Sequence, residues 1–558
     1  MVNEIKYYLL IASLFAVLST RAQEKWEKPA GGIENAQVVI EKDKVISLRP
    51  VSRRFKAIDI SVPTVKPMTF QYNFSQITDS LPSLQVIVRP KTMRNTPLEK
   101  FYGITAKVGY GNYSSPYILL NAGNKRSDEF MFNTYFNHYS SGKGPVADKF
   151  SGQGLTALGL DSKYFLNNVV LSGKLGFTNQ SYSMYGYDIA QIEAPGFDQQ
   201  VHKQKLNQFS VALKMADNDV NNDSDQSLEL KANYLSNNHN TSEFLVDVNY
   251  HLFWQLAKEW QLDFDANYSL ANQNDATSNP LNRNFLRLSP KINYSWSPFT
   301  FIAGLEGFYQ NDPQDMNEGK LYVYPVLGAS YDLATNHSLN ITYSGNIERL
   351  SLKQLYGENL YLDSTLVVNN NINNISINVG LKGKITERFG YELSYNYLHY
   401  KRLMFYDNNA LDSARFGLVF DNGGAVNNRI AGNAKFLVNK NLDLSLSAAF
   451  NNYTTVDQAE AWHKPRFETD FTTNIYLLDK LRIRLTYFMM EGIKARDSSA
   501  QTLTLNTVHD LNIGADLSFT ERAGLFLELR NILGGNYQIY NNYPVRGFQV
   551  LGGLSYKF

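Results

Sequence analysis

The chain has 558 residues, with 53 basic against 52 acidic side chains and a formal net charge of +1. Such a balance gives no long-range field to draw in nucleic acid, which argues against a nucleic-acid partner. Cysteine is absent, which rules out a disulfide framework, a thiolate metal site, a cysteine nucleophile and a lipid-modified N-terminal cysteine.

The first residues read as an export signal. Lys6 supplies positive charge, the run 7–18 is apolar, and Thr20, Arg21 and Ala22 end on a small residue. A transmembrane helix needs roughly 20 apolar residues, and this run is shorter. The expectation is a cleaved signal peptide over 1–22 with Gln23 as the mature start. Beyond Leu18 no apolar stretch is long enough to span a bilayer as a helix, so further membrane contact must use strands. Residues 23–100 form an extension broken by Pro29, Pro50, Pro63, Pro67, Pro82, Pro90 and Pro97, with a basic stretch at Arg49, Arg53, Arg54 and Lys56.

From residue 101 to 558 the dominant signal is a period of two. In 260–270, Trp260, Leu262, Phe264, Ala266, Tyr268 and Leu270 alternate with polar residues. Segments 375–382, 442–450 and 511–519 repeat the pattern. Side chains of a strand point alternately to opposite faces, so each segment has one apolar and one polar face. Mean hydropathy is −0.33 although 13% of the chain is aromatic. Polar on average yet rich in Tyr and Phe suits a membrane barrel, whose alternate residues meet lipid and whose aromatics gather at the interfaces. Short polar turns near 124–126, 167–168, 297–298, 336–337, 386–388, 439–441, 479–480 and 520–522 alternate with longer loops near 141–151, 184–203, 273–283, 350–370, 494–503 and 535–545. Barrels place tight turns at the periplasmic rim and long loops outside, and about 22 strand candidates can be counted. Pro290 and Pro325 fall inside strand candidates and are expected at bulges or strand starts. The chain ends on a strand whose alternating Phe548, Val550, Leu554, Tyr556 and terminal Phe558 suit a final barrel strand and an insertion signal for the assembly machinery. The predicted fold is all-β: a transmembrane antiparallel barrel of about 22 strands after a short extended N-terminal segment.

Segment 527–537, with Asn531, Ile532, Leu533 and Tyr537, resembles the penultimate strand of TonB-dependent receptor barrels. Residues 543–548 and 554–558 resemble that family's last loop and strand. The aromatic that usually follows the Asn is missing here. Membership would imply 22 strands and solute uptake. The family's plug, however, is larger than the 23–100 extension and glycine-rich, so the nearest likeness is to plug-less receptor-like proteins of the Bacteroidota type. Residues 36–41 bear a faint likeness to a TonB-contact box. Three readings of the extension stay open: a reduced plug folded into the lumen, a periplasmic partner-binding arm, or a linker. The first would pair Arg49, Arg53 and Arg54 with lumenal acids such as Asp263, Asp265, Asp443 or Asp516.

No enzymatic site is expected. Ser224 and Ser498 have no His close in sequence, and Gly-x-Ser-x-Gly and His-Glu-x-x-His motifs are absent. The eight His show no local metal-ligand spacing. The acidic run with Asp217, Asp219, Asp223 and Asp225 has Asn222 and Leu228 where a calcium loop needs Gly and Glu, and reads as a turn. No cofactor is expected. The partners expected are outer-membrane lipid, the barrel assembly machinery and other outer-membrane or periplasmic subunits. Two functions follow: a receptor or transporter barrel passing or capturing a solute, or an accessory barrel in a larger outer-membrane complex.

Overall fold

A computed structural model describes residues 103–558, apart from short stretches at 125–126, 220–221, 276–279, 316–317, 410–411, 478–479 and 498. The expected signal peptide, the extension and its Arg49, Arg53 and Arg54 lie outside the described residues.

The chain runs through β1 (Ile104–Gly111), β2 (Ser115–Gly123), β3 (Phe130–Ser141), β4 (Gln153–Phe165), β5 (Val169–Ser183), α1 (Ile189–Ile192), β6 (Lys203–Asp217), β7 (Ser224–Asn237) and β8 (Ser242–Gln255). Next come β9 (Trp260–Asn274), β10 (Leu281–Trp296), β11 (Phe299–Gln310), β12 (Lys320–Ala334), β13 (His337–Glu348), α2 (Leu352–Glu358), β14 (Asn371–Thr386) and β15 (Phe389–Asn408). The last are β16 (Phe416–Asp421), β17 (Ala425–Asn439), β18 (Leu442–Thr454), β19 (Phe467–Leu477), β20 (Leu481–Glu491), β21 (Lys494–Arg496), β22 (Thr502–Thr504), β23 (Val508–Ser518), β24 (Ala523–Arg530) and β25 (Gln549–Lys557). Three of these 25 strands (β16, β21 and β22) belong to loops, and the other 22 form one closed antiparallel ring. Closure is made by β1 on β25, in register from Thr105 opposite Lys557 to Gly111 opposite Leu551. At a strand spacing and tilt usual for barrels, such a ring is about 40 Å across.

The period of two sorts the faces as expected. Leu446, Leu517, Leu554 and the ring of Trp260 point outward and are exposed where lipid would lie. Outward aromatics Trp254, Trp260, Trp296 and Phe299 gather beside the short turns, as a membrane-interface girdle does. Phe548, Leu554, Tyr556 and Phe558 share the outward face of the final strand and its approach. No described helix is long and apolar enough to cross a membrane.

At the closing seam Gly109 stands opposite Gly553. A Cβ on Gly553 would come 2.1 Å from the Val108 carbonyl oxygen and 2.7 Å from the Phe526 ring. The tip of the Phe526 ring therefore rests on Gly109 and Gly553, where a Cβ on either would collide with it.

Two expectations need correction. Pro290 and Pro325 mark neither bulges nor strand starts. Pro290 pairs with Phe264 of β9, while its ladder to β11 lapses from Leu288 to Lys291 without a register shift. Pro325 pairs with Leu305 of β11, and pairing of β12 with β13 begins only at Leu327. Each ring thus sits where one side of the strand has no ladder bond to lose. The chain also carries long loops at 409–424 and 455–466 that the loop spacing did not single out.

Ile513 shares the outward face of β23 with Leu517. The substitution Ile513→Arg is expected to cost roughly 2–4 kcal/mol if its position is near the bilayer midplane. Chemical unfolding from lipid vesicles measures this, and an unchanged midpoint would mean the faces are reversed. Deleting Phe558 should lower the amount of heat-modifiable barrel recovered from outer membranes, because the last strand loses its terminal aromatic.

Candidate functional site

The long loops meet over one end of the ring. The 184–202 loop joins β5 to β6, the 349–370 loop joins β13 to β14, and the 531–548 loop joins β24 to β25. Round the ring, eight strands separate the first loop from the second, eight the second from the third, and six the third from the first. Loops so spaced can touch only by crossing the mouth, and they do. The Tyr361 and Tyr543 rings stack at 3.5 Å, with Tyr185 edge-on to both at 5.6 and 4.9 Å. Tyr361 Oη donates to Tyr185 Oη at 3.1 Å, and Tyr185 Oη donates to the Pro544 carbonyl at 3.2 Å. The Tyr543 hydroxyl donates to the Ala414 carbonyl, which ties in the 409–424 loop. Phe150, Met184, Leu352, Leu355, Leu362, Phe416 and their neighbours bury an apolar core around this triad. Burial pushes the hydroxyls of Tyr185, Tyr361 and Tyr543 up, so all three stay neutral donors.

The 349–370 loop is also bolted to the barrel wall by charge. The Glu243 carboxylate on β8 accepts from Leu352 N at 2.9 Å and Lys353 N at 3.3 Å, at the start of α2, where Ser351 Oγ caps Gln354 N at 3.2 Å. Arg349 pairs with Asp247 at 3.1 Å. Arg283 Nη2 donates to the Leu350 carbonyl at 3.0 Å and to Asn370 Oδ1 at 2.6 Å. Asp312 is the hub: its Oδ2 accepts from Arg402 Nη2 at 2.6 Å and from Asn370 N at 2.8 Å. Arg283 Nε lies 3.5 Å from the other Asp312 oxygen, close enough for attraction but not aligned as a hydrogen bond. Side-chain exposure at Asp312, Arg402 and Arg283 is 5% or less, so these charges have almost no water to fall back on.

A third fastening is His463 in the 455–466 loop. Its Nδ1 faces the Tyr406 carbonyl at 2.9 Å and must donate, while Nε2 accepts from Asn541 N at 3.3 Å. Both nitrogens are thereby committed to the neutral ring, and the residue sits at φ 56°, in the left-handed region. Burial lowers its pKa to about 4.

The sequence-derived candidates fall in several places. Asp217 closes a turn at the end of the barrel opposite the lid, accepting from Asp219 N at 2.9 Å and Asn222 Nδ2 at 2.6 Å, as a turn reading requires. The lumenal acids find partners within the barrel: Asp516 with Lys107 at 2.6 Å, Asp265 with His251 at 2.9 Å, and Asp443 with Asn474 at 2.9 Å. Register sets His251 opposite Asp265, and with Asp263 the three bring donor atoms within 4.8 Å of one another. Such a set could hold a divalent ion, although Lys291 Nζ, 3.9 Å from Asp265, already offsets part of the charge. Local spacing hid this group, because it assembles across two strands. The lid residues were missed for the same reason. Only Leu352, Leu355 and Tyr356, at helical spacing, carry a sequence signal for α2.

No protein-family model and no curated protein matches the sequence. Solved structures do match in fold. The FrpB iron transporter of Neisseria meningitidis (F5-1 variant) aligns at TM-score 0.64 and 11% identity, covering 83% of both chains. The siderophore receptor PiuA of Acinetobacter baumannii aligns at TM-score 0.62 and 10% identity over 82% of each chain. The ferric-catecholate import receptor Fiu of Escherichia coli K12 gives 0.60 and 8%, again over 82% of each. At these identities the likeness is one of fold: a 22-strand barrel similar to TonB-dependent receptor barrels.

Two outcomes are expected. The substitution Asp312→Asn removes the carboxylate that two buried guanidiniums share, and breaking such a pair costs on the order of 3–5 kcal/mol. Limited proteolysis should then cut within 349–370 in the variant and spare the parent. His463, protonatable unfolded near pH 6.5 and folded only near pH 4, should make stability fall as acid lowers the pH from 6.5 to 4, by about 3 kcal/mol in all. Below pH 4 this contribution is flat. The variant His463→Asn tolerates the left-handed backbone and does not titrate, so its unfolding midpoint should lose that slope.

Proposed function

We propose that the protein is an outer-membrane receptor or transporter barrel that captures or passes a solute, with the loop lid as its gate. The observation that carries this is the aromatic triad, built from three loops spread round the ring and closed over a wide polar lumen. A passive pore has no use for a lid with its own apolar core, and a receptor needs one that can be displaced. The fold likeness to an iron transporter and to siderophore receptors supports transport as the class of activity; no catalysis is proposed. The plug-less, Bacteroidota-type assignment belongs to this reading, as do cleavage of the signal after residue 22 and partnership with lipid and the barrel assembly machinery. So does the role of Phe548, Val550, Leu554, Tyr556 and Phe558 as the insertion signal.

The buried ion pairs around Asp312 favour a second reading. A loop fastened by Glu243, Arg283 and Arg402 resists opening, which suits an accessory barrel whose lumen carries nothing. The cysteine-free chain offers a clean test. Tyr361→Cys with Tyr543→Cys allows the lid to be cross-linked by a short bis-thiol reagent and released by reductant. In planar bilayers the transporter reading expects brief large openings that vanish on cross-linking and return on reduction, in the full chain and in a chain lacking 24–98. A parent that stays closed, while a variant with shortened 184–202 and 531–548 loops conducts, would sink that reading. Co-purification with other outer-membrane subunits in mild detergent would then support the accessory one.

A further inference from the structure

Away from the lid, β20 presents Arg482 and Arg484 on one lumenal face, since they are two residues apart along a strand. Their guanidiniums converge on a single atom: Arg482 Nη2 lies 3.4 Å and Arg484 Nε 3.1 Å from Asn474 Oδ1. Two cations sharing one neutral amide oxygen repel each other and keep most of their donors unused. The nearby charges are already matched. Lys107 pairs with Asp516 at 2.6 Å and Arg530 with Glu528 at 2.5 Å. Asp443 stands behind the amide, accepting from Asn474 Nδ2 at 2.9 Å, and offsets the pair in part without touching it. Among the described residues neither Arg482 nor Arg484 has a carboxylate within ion-pair distance.

In front of them opens a cavity of about 380 Å³ whose lining holds four cations, Lys107, Arg482, Arg484 and Arg530, against two carboxylates, Asp516 (the register partner of Arg482) and Glu528, with Phe526 beside them. Gly514 is the register partner of Arg484, and the space where its Cβ would stand is empty. The glycine floor therefore leaves room for a group directly beside the guanidinium. Phe526, its ring tip against the seam glycines, supplies an apolar wall, and Lys107 sits 5.2 Å from its ring centroid.

We propose that this cradle binds a small organic anion through a carboxylate or phosphate group. The planar forks of two arginines match the oxygens of such a group, and an ammonium or a neutral amide would not. Phe526 would pack against the apolar part of the same molecule. The inference goes beyond the transport reading and does not depend on it, since an accessory barrel could hold the same ligand.

The test uses the full chain in detergent at fixed ionic strength, with chloride replaced stepwise by inorganic phosphate in one series and by citrate in another. The unfolding midpoint should rise and saturate in at least one series, and the series that responds tells phosphate from carboxylate. The variant Arg482→Gln with Arg484→Gln should need at least tenfold more of that anion for the same rise. In Gly514→Glu a carboxylate built opposite Arg484 should occupy the cradle, raising the starting midpoint and abolishing the response. A parent with no saturable rise, or a double variant that responds like the parent, overturns the site. If the double variant fails to fold, an unchanged response in Gly514→Glu overturns it instead.

Discussion

Everything in this molecule depends on one constraint: backbone N–H and C=O groups in hydrocarbon must pair with each other, because no water is there to take their place. A sheet meets that demand only when it has no edge. Pairing of β1 with β25 closes the ring, and the rest of the wall follows from it. Once closed, the ring assigns alternate residues to lipid and lumen, and even the two prolines are placed where a missing donor breaks no necessary bond. The glycines of the seam serve the same closure by letting Phe526 lie across strands that must approach each other.

The lid obeys a different physics. Its core is apolar and densely aromatic, like that of a small soluble domain, yet it is fastened to the wall by buried charges. These two means of attachment have opposite consequences for motion. Apolar contacts between loops can be exchanged for contacts with a ligand at modest cost, whereas separating Asp312 from Arg402 and Arg283 parts buried opposite charges, which costs far more. The 349–370 loop is accordingly the fixed part of the lid. The 184–202, 409–424 and 531–548 loops, joined mainly through tyrosine rings and hydroxyls, are the part that can yield. His463 adds a condition to this: its neutral ring bridges the end of β15 and the 531–548 loop, and it holds only while unprotonated.

The lumen wall carries its own division. Strands β8 to β11 bring acids and bases into direct pairs, as at Arg287 and Glu306, 2.7 Å apart. On β20 two guanidiniums are left facing a cavity instead. A wall that neutralises itself along most of one arc and leaves cations unsatisfied on another is unevenly prepared for ligands, and the uneven part is where a solute would find partners.

The sequence by itself determined the barrel. The clean alternation from Trp260 to Leu270, the turns at 297–298 and 336–337, and the strand count are local properties, because a strand's faces follow from the geometry of each residue and its neighbours. The lipid-facing assignment of Leu446, Leu517 and Leu554 was legible for that reason. What only the tertiary structure decided is everything built from residues far apart along the chain. Tyr185, Tyr361 and Tyr543 carry no signal individually; they become a site because ring closure sets their loops about a third of a turn apart and so forces them together across the mouth. His251, Asp263 and Asp265, the hub at Asp312, and Arg482 and Arg484 converging on Asn474 arise in the same way, from inter-strand register. Register depends on how every hairpin closes in turn, and no single segment contains it.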